Sequence, residues 1–446
     1  MRAVEQKIKA SILVIGFQKE DDRMYPHLYD FLRNLRSLYD DVIYIGDGDQ
    51  GEGLYAIDRN IRDILDILNP RKLFGKFCAL FRRLCPYRSK GKKLLEKASG
   101  ANSRPDNSLT ETTNLRGLYL ALKYLLERLC WLFMNSFSYV RRQRRLIKNL
   151  KNVKFRYNNK CLVLAIDHTS CLVAVKYFPG KVVLWSYDIL TKDYPVRIKN
   201  GFLDRLVTSK EMSKVKALII QDEQRKRLLE ESVGAVFTNT IYLPVSLNDS
   251  EFCRKAAENR QKKNSLSTVS IVQSGWIGKG RWSDKLIDAY QNWPISYELT
   301  LRGFIQADIN DSLLRAKRKP EVSGSICDTD LLPQILNNCD IGFVGYSEND
   351  SNHRYIENAS SQMVEFLRLG IPVIGCGSSS FNDFVTRQNI GIGISSIEEM
   401  EEAINKIVED YSFFSSNARK LYESRFDLCS YFNNYLIKSF ESLFAI

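Results

Sequence analysis

The stretch ENASSQMVEFLRLGIPVIGCGSS, residues 357–379, sets two carboxylates, Glu357 and Glu365, eight positions apart around a small polar step. Ser360 or Ser361 is a good N-cap for the apolar helical run that follows, and Gly370 is its natural stop. A helix start of this kind offers free amides and the positive end of a dipole, which suits a diphosphate. The loop SGWIGKGRWSDKLIDAY adds two cations, Lys279 and Arg281. Preorganised cations of that sort suit a bound anion. Asp167 closes the apolar run CLVLAID, where a carboxylate can bind hydroxyls or stabilise positive charge. His168 is adjacent, but with three histidines in the chain it reads as structural or merely exposed.

These residues need elements to hold them. SILVIGF (11–17) and DVIYIGD (41–47) read as buried strands with the helical HLYDFLRNLRSLY between them. CLVLAID (161–167), KVVLWSY (181–187), DRLVTS (204–209) and ALIIQD (217–222) continue the series. The segment 246–267 is polar and reads as a linker. A second series follows: TVSIVQSG (268–275), YELTLRG (297–303), PEVSGSI (320–326), DIGFVGY (340–346), IPVIGC (371–376) and IGIGI (390–394), with helical patterns between them. Strands alternating with helices predict parallel sheets. The class is therefore α/β, with two Rossmann-like lobes facing each other across a cleft. Ligands of such sheets bind at the carboxyl ends of the strands. Gly275, Arg302 and Ile326, near such ends, join Gly16 after the first strand as candidates for contact with a nucleotide.

The expected domains are 1–245, interrupted by a basic helical insertion at 60–150; the linker 246–267; and 268–424. A C-terminal helix, 425–446, is expected to pack back on the first lobe. At 446 residues two domains are the natural expectation. The net charge of +13 is concentrated: residues 71–150 hold 19 Lys/Arg and 4 Asp/Glu, a net of +15, so the remainder carries about −2. A localised anionic partner follows, rather than general basicity. The insertion pairs its charge with aliphatic helical patterns, and its longest uncharged run, Leu129–Val140, is too short to span a bilayer. It suits the surface of an anionic membrane. No nucleic-acid module is visible. Ten scattered cysteines without zinc spacing, and an N-terminus that enters a strand directly, point to reduced thiols in a cytoplasmic protein, which the basic insertion would hold peripherally on the inner face of the membrane.

The second lobe resembles the retaining GT-B glycosyltransferases, specifically the large family sharing a Glu-x7-Glu motif (glycosyl transferases group 1, family 4-like). The order carries the resemblance: LPQILNNCDIGFVGY, then Glu357-x7-Glu365 opening EFLRLGIPVIG, then NIGIGISSIEEMEEAI. The first lobe resembles the family more loosely, through LAIDHTSCLVAVKYFPGKVVLWSYD and IIQDEQRKRLL. By this resemblance Glu357 reaches the hydroxyls of a donor sugar and Glu365 accepts from ribose hydroxyls. Arg281 falls where the family has Lys, and Trp276 falls where it has Arg, a departure that Lys279 can offset. Asp167 falls at the acceptor loop, and the loop GFQKEDD lacks the family's glycine pair.

What the resemblance implies is a sugar-nucleotide glycosyltransferase, acting with retention on a glycan or lipid-linked acceptor of surface-polysaccharide or lipopolysaccharide type. No metal and no cofactor are expected, because the helix dipole and basic side chains balance the diphosphate. The Asp-x-Asp runs at 47–49 and 328–330 belong to a turn and to the residues before a helix. Two other readings use the same fold: a sugar-nucleotide epimerase, which calls for clustered acid/base groups, and a non-catalytic membrane-associated scaffold.

Overall fold

The apolar runs of the N-terminal half line up as one parallel sheet in the computed structural model. Its strands are β1 (Ile8–Ile15), β2 (Tyr39–Ile45), β3 (Cys161–Ile166), β4 (Val182–Trp185), β5 (Ala217–Ile220) and β6 (Thr240–Tyr242). They stand in the order β2-β1-β3-β4-β5-β6. Every residue of β3, β4 and β5 is buried, as a parallel sheet covered on both faces requires. Residues of alternate parity enter different cores. Leu13, Val163 and Leu184 pack on one face, and Ile12, Leu164 and Val183 pack with Phe31 and Leu35 on the other. Helices α1 (Pro26–Leu38), α2 (Asp167–Tyr177) and α3 (Glu223–Val233) belong to this lobe.

The structure describes residues 8–15, 26–45, 161–189, 212–262, 267–324, 331–348 and 351–445. All belong to one compact unit, Met1–Gly48 with Gln143–Ile446. The basic segment 71–150, the run 204–209, Gly16, Ile326 and both Asp-x-Asp runs lie outside the described residues.

Polar residues 246–267, expected to be a linker, contain a helix instead, α4 (Glu251–Gln261). Its signals are local and small. Ser250 caps it by accepting from Cys253 N at 3.2 Å, and its buried stripe is Cys253, Ala256, Ala257 and Arg260. Two alanines and a thiol among charges give a weak apolar period, and tertiary burial completes the helix.

The second sheet is also parallel: β7 (Val269–Ile277), β8 (Tyr297–Ile305), β9 (Glu321–Gly324), β10 (Ile341–Gly345), β11 (Val373–Cys376) and β12 (Gly391–Ile394). Its order is β12-β11-β10-β7-β8-β9. Strand order reverses between β7 and β10 here, and between β1 and β3 in the first sheet. Each reversal opens a crevice at the carboxyl edge, the usual ligand site of open α/β sheets. Helices α5 (Ser283–Tyr290), α6 (Ser351–Arg354) and α7 (Ser361–Arg368) follow β7 and β10.

The chain crosses between lobes twice, side by side. Leu247 N donates to Phe426 O at 3.2 Å, and Leu428 N donates to Leu247 O at 3.0 Å. Beyond this crossing, Leu428, Phe432, Leu436, Phe440 and Leu443 enter the core of the first lobe. The ring of Phe432 lies 5.0 Å from that of Phe31. Among the described residues no helix is long and apolar enough to cross a membrane.

Candidate active site

Helix α7 begins where the sequence places it, and Ser360 is the cap. Its Oγ accepts from Met363 N at 3.1 Å and shares a 2.6 Å hydrogen bond with the Tyr346 hydroxyl. Ser361 is the first helical residue, not the cap. Gly370 ends the run with φ of 66°, a conformation that favours glycine, and its carbonyl accepts from Ser415 Oγ at 2.7 Å. Gln362, in the first turn, donates to Ser274 O. Gly275 lets that turn approach: a Cβ there would lie 2.6 Å from Gln362 Nε2, and its φ is 91°. In this structure Gly275 therefore serves helix-to-sheet packing.

At the carboxyl edge of the second sheet, side chains cluster on Tyr346, the buried residue just past β10. Arg281 ends the 3-10 turn Lys279–Arg281 and sets its guanidinium 4.4 Å from the centre of the Tyr346 ring. Gln273 holds this turn by donating to Arg281 O at 2.8 Å. Arg281 Nη1 is buried and has no hydrogen-bond partner among the described residues. Lys279 is exposed; its backbone N–H donates to Asp308 Oδ2 at 3.3 Å. Of the two predicted cations, Arg281 joins the cluster and Lys279 stands at the rim. Trp276 is exposed and pairs with Phe304 at 4.9 Å between ring centres.

Both glutamates lie in this neighbourhood. Glu365 is buried, and loss of water raises its carboxyl to about 7, against the opposing charge of Arg368. Its charge is felt at the Tyr346 phenol. Glu357 is half-buried and is also shifted upward, by burial first, with Asp222 adding to the rise and Arg225 opposing it. Ser380 Oγ donates to Glu357 Oε2 at 3.2 Å.

Asp167 sits at the reversal point of the first sheet, at the turn from β3 into α2, with φ of 62°. Positive φ is uncommon for non-glycine residues, and aspartate is among the side chains that adopt it most readily. Its Oδ1 accepts from Tyr187 N at 3.3 Å. His168 is buried and neutral: burial lowers its pKa, and Nε2 donates to Asp188 O at 2.9 Å. Arg302 lies on β8 in register with Ser274 and Ser323. Its Nε is buried without a partner among the described residues, and its charge is felt at Cys339, beside the helix Leu332–Leu336. No hydrogen bond joins it to Arg281 or Tyr346 among the described residues.

Three residues at the site were not singled out from the sequence. Arg225, on α3 of the first lobe, is buried, and its guanidinium donates to four residues among those described. It donates to Gln221 Oε1 at 2.7 Å, Tyr187 O at 2.7 Å, Tyr355 O at 2.9 Å, Asn352 Oδ1 at 3.2 Å and Asn352 O at 3.3 Å. It thus ties the loops of the first lobe to the segment between β10 and α7. Nothing in QDEQRKRLL separates it from the exposed Arg227. Tyr346 was legible only as the last residue of a strand-like run. His353, on α6, gave no signal at all. Among the described residues no group of three or more metal-ligating side chains occurs.

Residues 284–425 match the model for the glucosyltransferase 3-like, C-terminal domain family. No curated protein matches the chain. Among solved structures, Anabaena Alr3699/HepE in complex with UDP and glucose has a TM-score of 0.59 at 14% identity, over 97% of this chain and 100% of that one. A glycosyltransferase from Rickettsia africae gives 0.54 at 13% identity, over 98% and 99%. Sucrose-phosphate synthase from Thermosynechococcus elongatus gives 0.52 at 15% identity, over 68% and 79%. The two parallel sheets with their helices are the GT-B fold, two Rossmann-like domains. The fold and the matched C-terminal domain are those of a glycosyltransferase.

Proposed function

We propose that this chain moves a sugar, with retention of configuration, from a nucleoside diphosphate donor held by the second lobe to a glycan or lipid-linked acceptor at the first. The observation that carries the reading is Arg281. Its guanidinium is fixed on Tyr346, and its buried Nη1 has no hydrogen-bond partner among the described residues. Tyr346 is in turn bonded to the cap of α7. A donor diphosphate set at the α7 amides completes that arrangement, and Arg281 neutralises the charge of the leaving group. Glu365 receives the ribose hydroxyls and Glu357 the sugar, with Ser360 and Ser361 opening the anion site between them. Lys279 at the rim assists the diphosphate. Asp167 faces the acceptor or the developing positive charge.

UDP is the first nucleotide to test, since the Anabaena protein is seen with UDP and with UDP-glucose. A lipid-linked acceptor, and residence on an anionic membrane, rest on the +15 charge of 71–150. Melting shifts with UDP, GDP, ADP and CMP test the donor site. A ligand at 100 times its Kd stabilises by about 2.7 kcal/mol. A shift with one nucleotide that Arg281→Ala diminishes supports the reading; no shift with any of the four removes it.

A further inference from the structure

His353 occupies a place that the donor reading leaves unused. Its segment is held hard against the first lobe. The Asn352 side-chain amide donates to Ile189 O at 2.9 Å and accepts from Ile189 N at 2.6 Å, and Arg225 binds the carbonyls of Asn352 and Tyr355. His353 is thereby fixed with its ring 5.4 Å from the Tyr346 ring, the same ring that Arg281 covers at 4.4 Å. The Ser347 backbone favours the charged imidazole and the Arg281 charge opposes it. Nδ1 is buried and has no hydrogen-bond partner among the described residues. In the neutral tautomer that carries its proton on Nε2, Nδ1 is an acceptor. Burial lowers the pKa to about 4, which keeps the ring neutral.

A buried donor, Arg281 Nη1, and a buried acceptor, His353 Nδ1, thus lie against one aromatic ring, each without a partner among the described residues. Each is a buried hydrogen-bonding group that a bound ligand can satisfy. A phosphate oxygen satisfies the arginine but brings no proton to the histidine. Nη1 carries two N–H groups: one serves the diphosphate, and a sugar hydroxyl accepts from the other while donating to Nδ1. We propose that His353 is a specificity residue that, with Arg281, binds one hydroxyl of the transferred sugar. The inference rests on the donor reading above and adds to it a group that distinguishes the sugar nucleotide from the bare nucleotide.

Calorimetric titration of UDP and of UDP-glucose, UDP-galactose and UDP-N-acetylglucosamine into the wild type, His353→Phe and His353→Asn tests this. Phenylalanine keeps the ring against Tyr346 and removes the acceptor; asparagine restores an acceptor near the Nδ1 position. For the tightest sugar nucleotide, His353→Phe is expected to weaken binding about tenfold, the worth of one buried hydrogen bond between neutral groups. UDP affinity should stay within about twofold on the same argument, and His353→Asn should recover part of the loss. Equal weakening of UDP and sugar nucleotide would make His353 a support of the site, not a reader of sugar. No change in either, or a wild type that binds every sugar nucleotide no better than UDP, also overturns the proposal. A wild type that binds neither UDP nor any UDP-sugar fails earlier, at the donor reading itself.

Discussion

Glu365 is a carboxyl whose ionisation the fold opposes until about pH 7. In the unfolded chain it ionises near 4.5. Its folded pKa is raised, so between those values the native state holds a proton that the unfolded state has lost. Its contribution to stability therefore falls as pH rises from 4.5 to 7, by on the order of 3 kcal/mol in full. Glu365→Gln should melt higher than the wild type at pH 8, with the difference gone by pH 4.5; a constant difference across a pH series of melting curves would contradict this. If ribose hydroxyls donate to the ionised carboxylate, UDP affinity should fall from pH 8 to pH 6 in the wild type and vary far less in Glu365→Gln. Calorimetry in buffers of different ionisation enthalpy would then show proton release on binding near pH 7. Glu357, bonded to Ser380 and nearer the segment of His353, should behave differently. Glu357→Gln should spare UDP binding and depress turnover of the sugar nucleotide, as read by initial rates beside titration.

At the scale of the element, α7 depends on its first and last residues. Ser360 both caps the helix and bonds the Tyr346 hydroxyl in a buried place. Ser360→Ala removes the cap, about 1 kcal/mol, and leaves a buried phenol unpaired, about 1–3 kcal/mol. Ser361→Ala, outside the cap, should stay within about 0.5 kcal/mol of the wild type. Urea unfolding of the two variants checks the contrast, and similar losses would mean that the cap has been misassigned. Gly370→Ala forces a left-handed φ on alanine and sets a Cβ 3.1 Å from that of Ala257, on α4. A loss of about 1 kcal/mol or more is expected in the same assay. The helix is short, eight residues, so its stability comes from burial and caps rather than from propensity.

Across the whole molecule, Arg225 joins the lobes. Its guanidinium bonds draw on Tyr187 and Gln221 from one lobe and on Asn352 and Tyr355 from the other. Lysine offers three donors from a single point and cannot reproduce that fork. Arg225→Lys should lower stability by about 2–4 kcal/mol, since buried carbonyls lose their partners. It should also raise the radius of gyration of the ligand-free protein in small-angle scattering; an unchanged radius would mean that the backbone crossing at Leu247 and Leu428 alone holds the lobes. The charge of 71–150 belongs to this scale too. Replacing Arg141, Arg142, Arg144 and Arg145 by Ser should weaken sedimentation with anionic liposomes at low salt, by roughly 1 kcal/mol per residue near the surface. A wild type that does not sediment with such liposomes removes the membrane proposal.

The sequence by itself determined the two α/β series, because continuous apolar runs such as CLVLAI and PVIGC have few fates other than buried parallel strands. It also determined the start and stop of α7, since Ser and Gly at its ends act through the local backbone. Helix α4 escaped notice because its apolar stripe is alanine and cysteine, whose burial is decided by neighbours distant in sequence. Tertiary structure alone decided which arginine matters. Arg225 and Arg227 are two residues apart on one helix, yet one is buried among carbonyls of both lobes and the other is in solvent. The same holds at the crevice. Arg281, Tyr346, His353 and Ser360 gather around one ring because strand order reverses between β7 and β10. A reversal of that kind is a property of how strands pair in space, and linear spacing carries no record of it.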